Sequence, residues 1–149
     1  TSERLSLPRY ETLQPLYNLV EREPYEAELE PLIRSRGVGV INFFGLARGF
    51  LTGKYRSEAD LAKSPRGAGV KAYLNERGLR ILAALDDAAA ELSATPAQVA
   101  LAWQMARPGI TAPIASATSS TQFEELAGAA ALTLSATTIA ALDRASAWR

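Results

Sequence analysis

Apolar residues along the chain form short runs and longer periodic segments, whose order predicts strand, helix, strand, helices, strand and helices. Extended runs occupy residues 12–16 and 110–115, and a third contains Val40 and Ile41 and ends before the turn former Gly45. Strands that alternate with helices are typical of parallel βαβ units. The pattern therefore predicts an α/β fold of about three parallel βα units with extra helices.

Residues 24–36 have the periodicity of an amphipathic helix, with Leu29, Leu32 and Ile33 on its buried side. Gly37 follows directly and is predicted to end this helix in a left-handed cap. Acidic side chains precede and begin the segment, where they complement the helix dipole. They are Glu21, Glu23, Glu26, Glu28 and Glu30.

Three later helices have recognisable N-terminal caps. Asn75 is predicted to cap a helix that extends to Ser93, and Thr95 begins a capping box at the start of the next. Ser135 is predicted to open the last helix. The first of these three helices has a stripe of leucines that is predicted to be buried: Leu79, Leu82, Leu85 and Leu92.

The composition is that of one ordinary globular domain over residues 1–149, with 48% hydrophobic and 21% charged residues. The formal net charge of zero argues against nucleic-acid or anionic-membrane partners. Because the sequence has no cysteine and no histidine, disulfides, a Ser-His-Asp triad and the common zinc sites are excluded within it. Neither a signal peptide nor a long apolar run is evident, so we expect a cytoplasmic protein. A chain that begins at Thr1 is expected to be a piece of a longer one.

The most informative stretch covers residues 43–55 and has the sequence Phe-Phe-Gly-Leu-Ala-Arg-Gly-Phe-Leu-Thr-Gly-Lys-Tyr. Its glycines are spaced four apart, at Gly45, Gly49 and Gly53, and Lys54 follows them. Glycines let backbone amides approach a bound group, and the lysine adds a positive charge that suits a phosphate. By spacing alone, a tight βα connection with turn glycines explains the stretch equally well.

The order of side chains in this stretch resembles the seventh-strand signature of aldo-keto reductases. Two other segments resemble the same family: Leu-Gln-Pro-Leu-Tyr-Asn-Leu-Val-Glu-Arg at residues 13–22, and the run of small hydroxyl residues within 113–126. The resemblance to this family covers nearly the whole chain. The resemblance implies the C-terminal part of a (β/α)₈ TIM barrel, with the N-terminal portion absent from the 149 residues.

The resemblance also implies a nicotinamide dinucleotide site. In the family, a glutamine matching Gln14 hydrogen-bonds the nicotinamide carboxamide, and an aromatic residue matching Phe43 stacks on the nicotinamide ring. Arg66 is expected near the adenosine phosphate end, and Lys54 is expected to bind a phosphate. The residues expected to follow the ribose and pyrophosphate are Phe44, Gly45, Leu46, Ala47 and Arg48. Many family members have Ser-Pro at positions 44 and 45, so a hydroxyl contact is missing here and a more mobile loop is expected.

The third segment implies contacts to the adenosine end. By resemblance, Ser116, Thr118 and Gln122 contact the adenosine 2′-phosphate and ribose, and Glu125 lies near the adenine. A strand that leads into a helix start is a suitable anion site, although the same hydroxyl residues also serve as helix caps. Since no arginine or lysine lies between Ser116 and Glu125, the choice of NADP(H) over NAD(H) stays open at this point.

The implied activity is NADP(H)-dependent reduction of aldehydes or ketones, a small carbonyl compound being the substrate of the intact enzyme. No catalytic residue is assigned, because no tyrosine here lies in the family's catalytic motif, and the chain alone is expected to be inactive. Two alternatives are a catalytically silent nucleotide-binding fragment or regulatory subunit of the family, and an unrelated barrel enzyme acting on a phosphorylated substrate. Two exposed strand edges are expected to pair with the missing half or with a second copy.

Overall fold

The computed structural model describes residues 1–148 and contains one sheet of three parallel strands. They are β1 (Thr12–Leu13), β2 (Gly39–Asn42) and β3 (Ile110–Pro113), and β2 lies in the middle. Leu13 pairs with Val40, and Val40 pairs with Ile110 on the other side. The predicted α/β fold with three parallel strands is confirmed. The first and third strands are shorter than expected, and Pro15 explains the first because proline has no amide hydrogen for the ladder.

Helices connect and follow the strands. The α-helices are α1 (Ser2–Leu5), α2 (Glu30–Arg36), α3 (Glu76–Leu92), α4 (Pro96–Met105), α5 (Ser120–Gly128) and α6 (Ala136–Ala145). A π-helical segment, Tyr25–Leu29, leads into α2, and 3₁₀ helices cover Ala47–Thr52, Glu58–Lys63, Gly67–Tyr73 and Ala129–Ala131. The sequence predicted only a polar connection between residues 56 and 71. Two of these 3₁₀ helices lie largely within it.

The predicted helix ends are confirmed. Gly37 caps α2 with φ of 60°. The Asn75 side chain accepts a hydrogen bond from the Gly78 amide at 2.8 Å and begins α3. Thr95 and Gln98 form both hydrogen bonds of a capping box at the start of α4. Local side-chain chemistry therefore sets where these helices begin and end.

Two predicted buried positions are wrong. Leu32 is 57% exposed and Leu79 is 44% exposed. Before Leu32, the wider π turn shifts the inward face of the segment, so that Tyr25 is buried together with Ile33, whose predicted burial is confirmed. In α3 the inward face begins at Gly78, one residue and about 100° from Leu79 around the helix.

The core lies between the sheet and helices α3, α4 and α6. Its largest fully buried side chains include Trp103, Tyr17 and Tyr25. Along β2, Val40 and Asn42 are buried while Gly39 and Ile41 are partly exposed, as expected for a strand with one face packed on helices. The other face of the sheet is more open. Among the described helices no single one is long and apolar enough to cross a membrane; only Ser120–Ala131 and Ala136–Ala145 meet the length and composition criteria together, and they are bent by 118°.

Candidate cofactor site

The carboxyl ends of the three strands lie at one edge of the sheet. Gln14 directly follows β1 and Phe43 directly follows β2. The Phe43 amide donates to the Pro15 carbonyl at 3.0 Å, and the Ile114 amide donates to the Asn42 carbonyl at 2.8 Å. The segments that leave β1, β2 and β3 therefore run side by side, with an exposed Gln14 and a half-buried Phe43 near one another. In open and barrel-type parallel sheets, this is the edge where ligands bind.

The loop after β2 has an unusual backbone. Phe44, Ala47 and Arg48 have φ of 55°, 47° and 59°, which is the left-handed region, and Gly49 follows at 92°. For a side chain other than glycine, this conformation costs roughly 1–2 kcal/mol per residue. Three such residues in a stretch of five need strong local support, and strained backbone of this kind clusters at ligand sites.

Amide side chains provide that support. Asn18 Nδ2 donates to the Phe44 carbonyl at 3.0 Å, and Gln104 Nε2 donates to the Gly45 carbonyl at 2.9 Å. Asn42 Nδ2 donates to Gln104 Oε1 at 2.6 Å and to the Tyr17 carbonyl at 2.8 Å. All three amide residues are fully buried, and the sequence analysis missed them. A polar residue at an inward position of an apolar strand or helix was the available signal.

Aromatic and cationic groups lie on the exposed side of this loop. The rings of Phe43 and Phe44 are 5.1 Å apart, and the Arg48 guanidinium lies 4.7 Å from the centre of the Phe44 ring. Phe44 is 42% exposed. This arrangement presents aromatic faces and a positive charge to solvent, and both suit a nucleotide.

Tyr73 and Glu21 lie next to Arg48. The Tyr73 hydroxyl donates to Glu21 Oε1 at 2.9 Å, and Asn18 donates to the other oxygen of that carboxylate at 2.9 Å. Burial and the Glu21 carboxylate raise the pKa of Tyr73 to about 12. The interpretation of Glu21 as a helix-dipole residue is therefore incomplete, because its carboxylate connects the loop after β1 to the 3₁₀ helix that ends at Tyr73.

The cations between residues 48 and 71 fall into two groups. Three have carboxylate partners: Arg56 with Asp86 at 2.7 Å, Lys63 with Asp60 at 2.7 Å, and Lys71 with Glu58 at 3.1 Å. Within the described residues, the other three form no ion pair: Arg48, Lys54 and Arg66. These three are the cations that the sequence predicted for phosphate contacts.

Backbone neighbours bring these three residues close together. Arg48 packs over Gly69, where an added Cβ would lie 3.3 Å from Arg48 Cδ. The Gly69 amide in turn donates to the Arg66 carbonyl at 3.1 Å. Lys54 folds over Gly49, with its Nζ 3.4 Å from an added Cβ there. Leu46 is half-buried and Ala47 fully buried, so these two predicted residues face the protein.

The third predicted group lies beyond β3 and acts as a helix cap. Thr118 donates to Gln122 Oε1 from its amide at 2.9 Å and its hydroxyl at 3.0 Å. Ser119 accepts from the Gln122 amide at 3.2 Å. Ser116 is exposed, and the half-buried Glu125 uses its carbonyl to accept from Gln98 Nε2 at 2.8 Å. The capping alternative thus describes the present contacts, and the roles of these residues toward adenosine stay predictions.

The described residues include no group of three or more metal-ligating side chains. The hydroxyls of Tyr17, Tyr55 and Tyr73 are hydrogen-bonded to Glu26, Ser64 and Glu21. Burial raises the pKa of Tyr17, which is fully enclosed in the core. These tyrosines support the fold, and the structure gives no reason to assign a catalytic acid among them.

Sequence comparisons point to one family. The model of the "Aldo/keto reductase family" matches residues 6–147. A "Probable voltage-gated potassium channel subunit beta" of Arabidopsis thaliana is 34% identical over 129 residues, which is 83% of this chain and 39% of that protein. An "L-glyceraldehyde 3-phosphate reductase" of Escherichia coli (strain K12) is 33% identical over 118 residues, 75% of this chain and 34% of that protein.

A third relative is an aldo-keto reductase of Schizosaccharomyces pombe whose name carries NADP(+). It is 31% identical over 133 residues, 80% of this chain and 38% of that protein. The chain thus spans between about a third and two fifths of the length of these relatives. Since the family model covers nearly every residue, the chain belongs to the aldo/keto reductase family.

Proposed function

We propose that this chain forms the NADP(H)-binding part of a cytoplasmic oxidoreductase that reduces aldehydes or ketones to alcohols. The observation that supports this most is the selective pairing of the loop cations: Arg56, Lys63 and Lys71 have carboxylate partners. Arg48 and Arg66 have none among the described residues and remain exposed. Family membership supports an oxidoreductase and removes the alternative of an unrelated barrel enzyme.

The residues present fit a dinucleotide. Gln14 offers an amide donor and acceptor for a carboxamide, and Phe43 offers a ring face beside it. The Arg48 guanidinium and the Lys54 ammonium would neutralise phosphate charge, which is the use for which exposed, unpaired cations are best suited. When bound, the reduced nicotinamide supplies hydride to a carbonyl carbon. The contribution of this chain is to bind the cofactor and orient it.

NADPH titration tests this proposal. Arg48→Ala and Arg66→Ala are each expected to raise the Kd for NADPH about tenfold, because each loses a charge-assisted hydrogen bond to phosphate. Lys71→Ala removes the same charge from the same segment, but Lys71 is already paired with Glu58, so a change of less than about twofold is expected. Quenching of tryptophan fluorescence measures the three constants. Equal losses in all three variants would show that only overall charge matters and would contradict specific phosphate contacts.

The second candidate is a nucleotide-binding subunit with little turnover. It is favoured by the relatives in Arabidopsis thaliana and Oryza sativa subsp. japonica that are named probable voltage-gated potassium channel β subunits, each 34% identical. The absence of an assigned catalytic acid is compatible with it. NADPH binding together with no oxidation of NADPH in the presence of aldehydes or ketones would favour this candidate over the reductase.

We also propose that the two outer strands pair with further strands, either the remaining part of a barrel or a second copy of this chain. Leu13 on β1 and Ala112 on β3 are exposed, and Ile114, directly after β3, is 38% exposed. Unpaired strand edges with apolar side chains favour association. Sedimentation of the 149-residue chain is expected to show dimers or larger species, which Ala112→Lys should reduce because a charged edge opposes pairing. If the unchanged chain, with alanine at position 112, sediments as a monodisperse monomer, this proposal is contradicted.

A further inference from the structure

We infer that Asn42 and Gln104 are positioning residues that hold the Phe43–Gly45 backbone in the geometry needed for the cofactor, an inference that rests on the proposed function. Neither residue is expected to touch the cofactor, since both are fully buried between the sheet and α4. They act through the carbonyl of Gly45 and through the end of β2.

The two amides form a connected pair inside the core. Gln104 accepts from Asn42 at 2.6 Å through Oε1, and its Nε2 donates to the carbonyls of Gly45 at 2.9 Å and Ala100 at 2.8 Å. Asn42 also donates to the Tyr17 carbonyl at 2.8 Å. One buried pair therefore joins β2, the segment after β1, the loop after β2, and α4. Buried polar groups with partners on four segments fix a single arrangement of those segments.

The position of Gly45 has no room for a larger residue, because Gln104 lies directly against it. A Cβ at position 45 would lie 2.7 Å from Gln104 Oε1 and 3.3 Å from Leu101 Cδ2. Gly45 does not have positive φ, so its small size, and not its backbone conformation, is what the position requires. The glycine lets the Gln104 amide reach the loop carbonyl. Positions 45 and 104 are therefore expected to depend on each other.

The consequence lies at the neighbouring ring and cation. The carbonyl of the left-handed residue Phe44 is held by Asn18, and the next carbonyl, that of Gly45, is held by Gln104. If the Gln104 bond is lost, the Gly45–Leu46 peptide that carries this carbonyl can rotate, and Phe43, Phe44 and Arg48 lose their fixed relation. The missing Ser-Pro sequence predicts a more mobile loop. The hydrogen bond from Gln104 on α4 to the Gly45 carbonyl restrains that loop.

The experiment uses the protein at the length that its own gene encodes. Gln104→Met keeps the volume and removes both hydrogen-bonding atoms, and it is expected to raise the Kd for NADPH about tenfold. Thr138→Val is the matched control, since it removes a buried hydroxyl that bonds Ser135 at 2.7 Å at the start of α6, far along the chain from the loop. This control is expected to lower stability without changing the Kd.

A double-variant cycle tests the route of the effect and does not depend on Gln104→Met folding well. Gly45→Ala alone is expected to raise the Kd about tenfold, and to change it less than about twofold in a Gln104→Ala background, where the 2.7 Å contact with Gln104 is gone and only the Leu101 contact remains. Additive effects, or a Gln104→Met variant that binds NADPH like the unchanged protein, would overturn the inference and leave the proposed function intact. Failure of the unchanged protein to bind NADPH would overturn both.

Discussion

Glu26→Gln is expected to lower the free energy of unfolding by about 3 kcal/mol, because it removes the negative charge from the centre of a buried cluster of arginines. Glu26 bonds Arg22 through both oxygens, at 2.7 and 3.0 Å, and accepts from the Tyr17 hydroxyl at 2.8 Å. Arg107 lies 3.7 Å from the same carboxylate. With glutamine at this position, two arginines would share the single carboxylate of Asp143.

The cluster surrounds Trp103. The guanidinium groups of Arg22 and Arg107 lie 5.3 and 5.2 Å from its ring, and the indole nitrogen donates to Asp143 at 2.9 Å. The Arg22 side chain is only 9% exposed. An uncompensated guanidinium at such a place keeps its desolvation cost without the attraction that offset it. For this reason the loss is expected to exceed that of an ordinary ion pair.

Asp86→Asn provides the matched control. Asp86 binds Arg56 through two hydrogen bonds of 2.7 Å, a geometry as good as that of Glu26, but both side chains are more than 40% exposed. Its loss is expected to cost less than about 1 kcal/mol. Urea unfolding followed by tryptophan fluorescence compares the two variants. If they lose equal stability, burial is not what makes the Glu26 cluster important.

The pH dependence gives a second measure of the same cluster. Burial alone would raise the pKa of Glu26, but hydrogen bonds from Arg22 and Tyr17 outweigh it and hold that pKa below its ordinary value. A carboxyl whose pKa is lowered by folding contributes stability above its unfolded pKa, and this contribution is lost as the pH falls through the folded pKa. Glu26→Gln should therefore lose most stability near neutral pH, and its difference from the unchanged protein should shrink as the pH falls below the ordinary glutamate pKa of about 4.3.

The sequence predicts those parts of the fold that depend on neighbouring residues. Asn75, Thr95 and Ser135 cap their helices as expected, since each cap contacts an amide three residues later. The alternation of strands and helices along the chain, which indicates parallel strands, also follows from the pattern of apolar residues. By contrast, the 3₁₀ helices between residues 47 and 73 have no periodicity long enough to be recognised. They form because the chain must pack against the core there.

The candidate site divides in the same way. Gln14, Phe43 and the loop cations were predicted because short segments around them resemble the family. Asn42 and Gln104 were missed because they are 62 residues apart and meet only after β2 packs on α4. Their hydrogen bonds could not be predicted from the local pattern. An asparagine and a glutamine at inward-facing positions of a strand and a helix nevertheless indicate a polar contact in the core.

The acidic segment before α2 shows the limit of a local explanation. All five glutamates there fit the helix dipole equally well in sequence. The fold separates them: Glu26 enters the arginine cluster and Glu21 bonds Tyr73, whereas Glu23 and Glu28 are exposed or nearly so. The pair of Glu26 with Arg22 is local, but the rest of the cluster comes from Arg107 and Asp143, which are more than 80 positions after Glu26.

Gly78→Ala is expected to destabilise the protein by about 2–3 kcal/mol, contrary to what helix propensity predicts. Gly78 lies in the first turn of α3, where alanine is normally more stable than glycine by roughly 0.5–1 kcal/mol. An added Cβ, however, would overlap the carbonyl oxygen of Tyr73 and would lie 3.1 Å from the Phe50 ring. The backbone that enters α3 would have to move, because a carbonyl cannot change rotamer as a side chain can.

Gly37→Ala distinguishes this steric effect from a general cost of replacing glycine. Gly37 has φ of 60° and nothing within 4 Å of an added Cβ, so only the left-handed conformation opposes alanine there, at about 1 kcal/mol. Denaturation midpoints of both variants give the comparison. A smaller loss at Gly78 than at Gly37 would mean that the junction of Tyr73 with α3 is compliant. A larger loss at Gly78 would show that the Tyr73 carbonyl packs rigidly against the start of α3. Tyr73 is also the residue whose hydroxyl bonds Glu21 beside the candidate site.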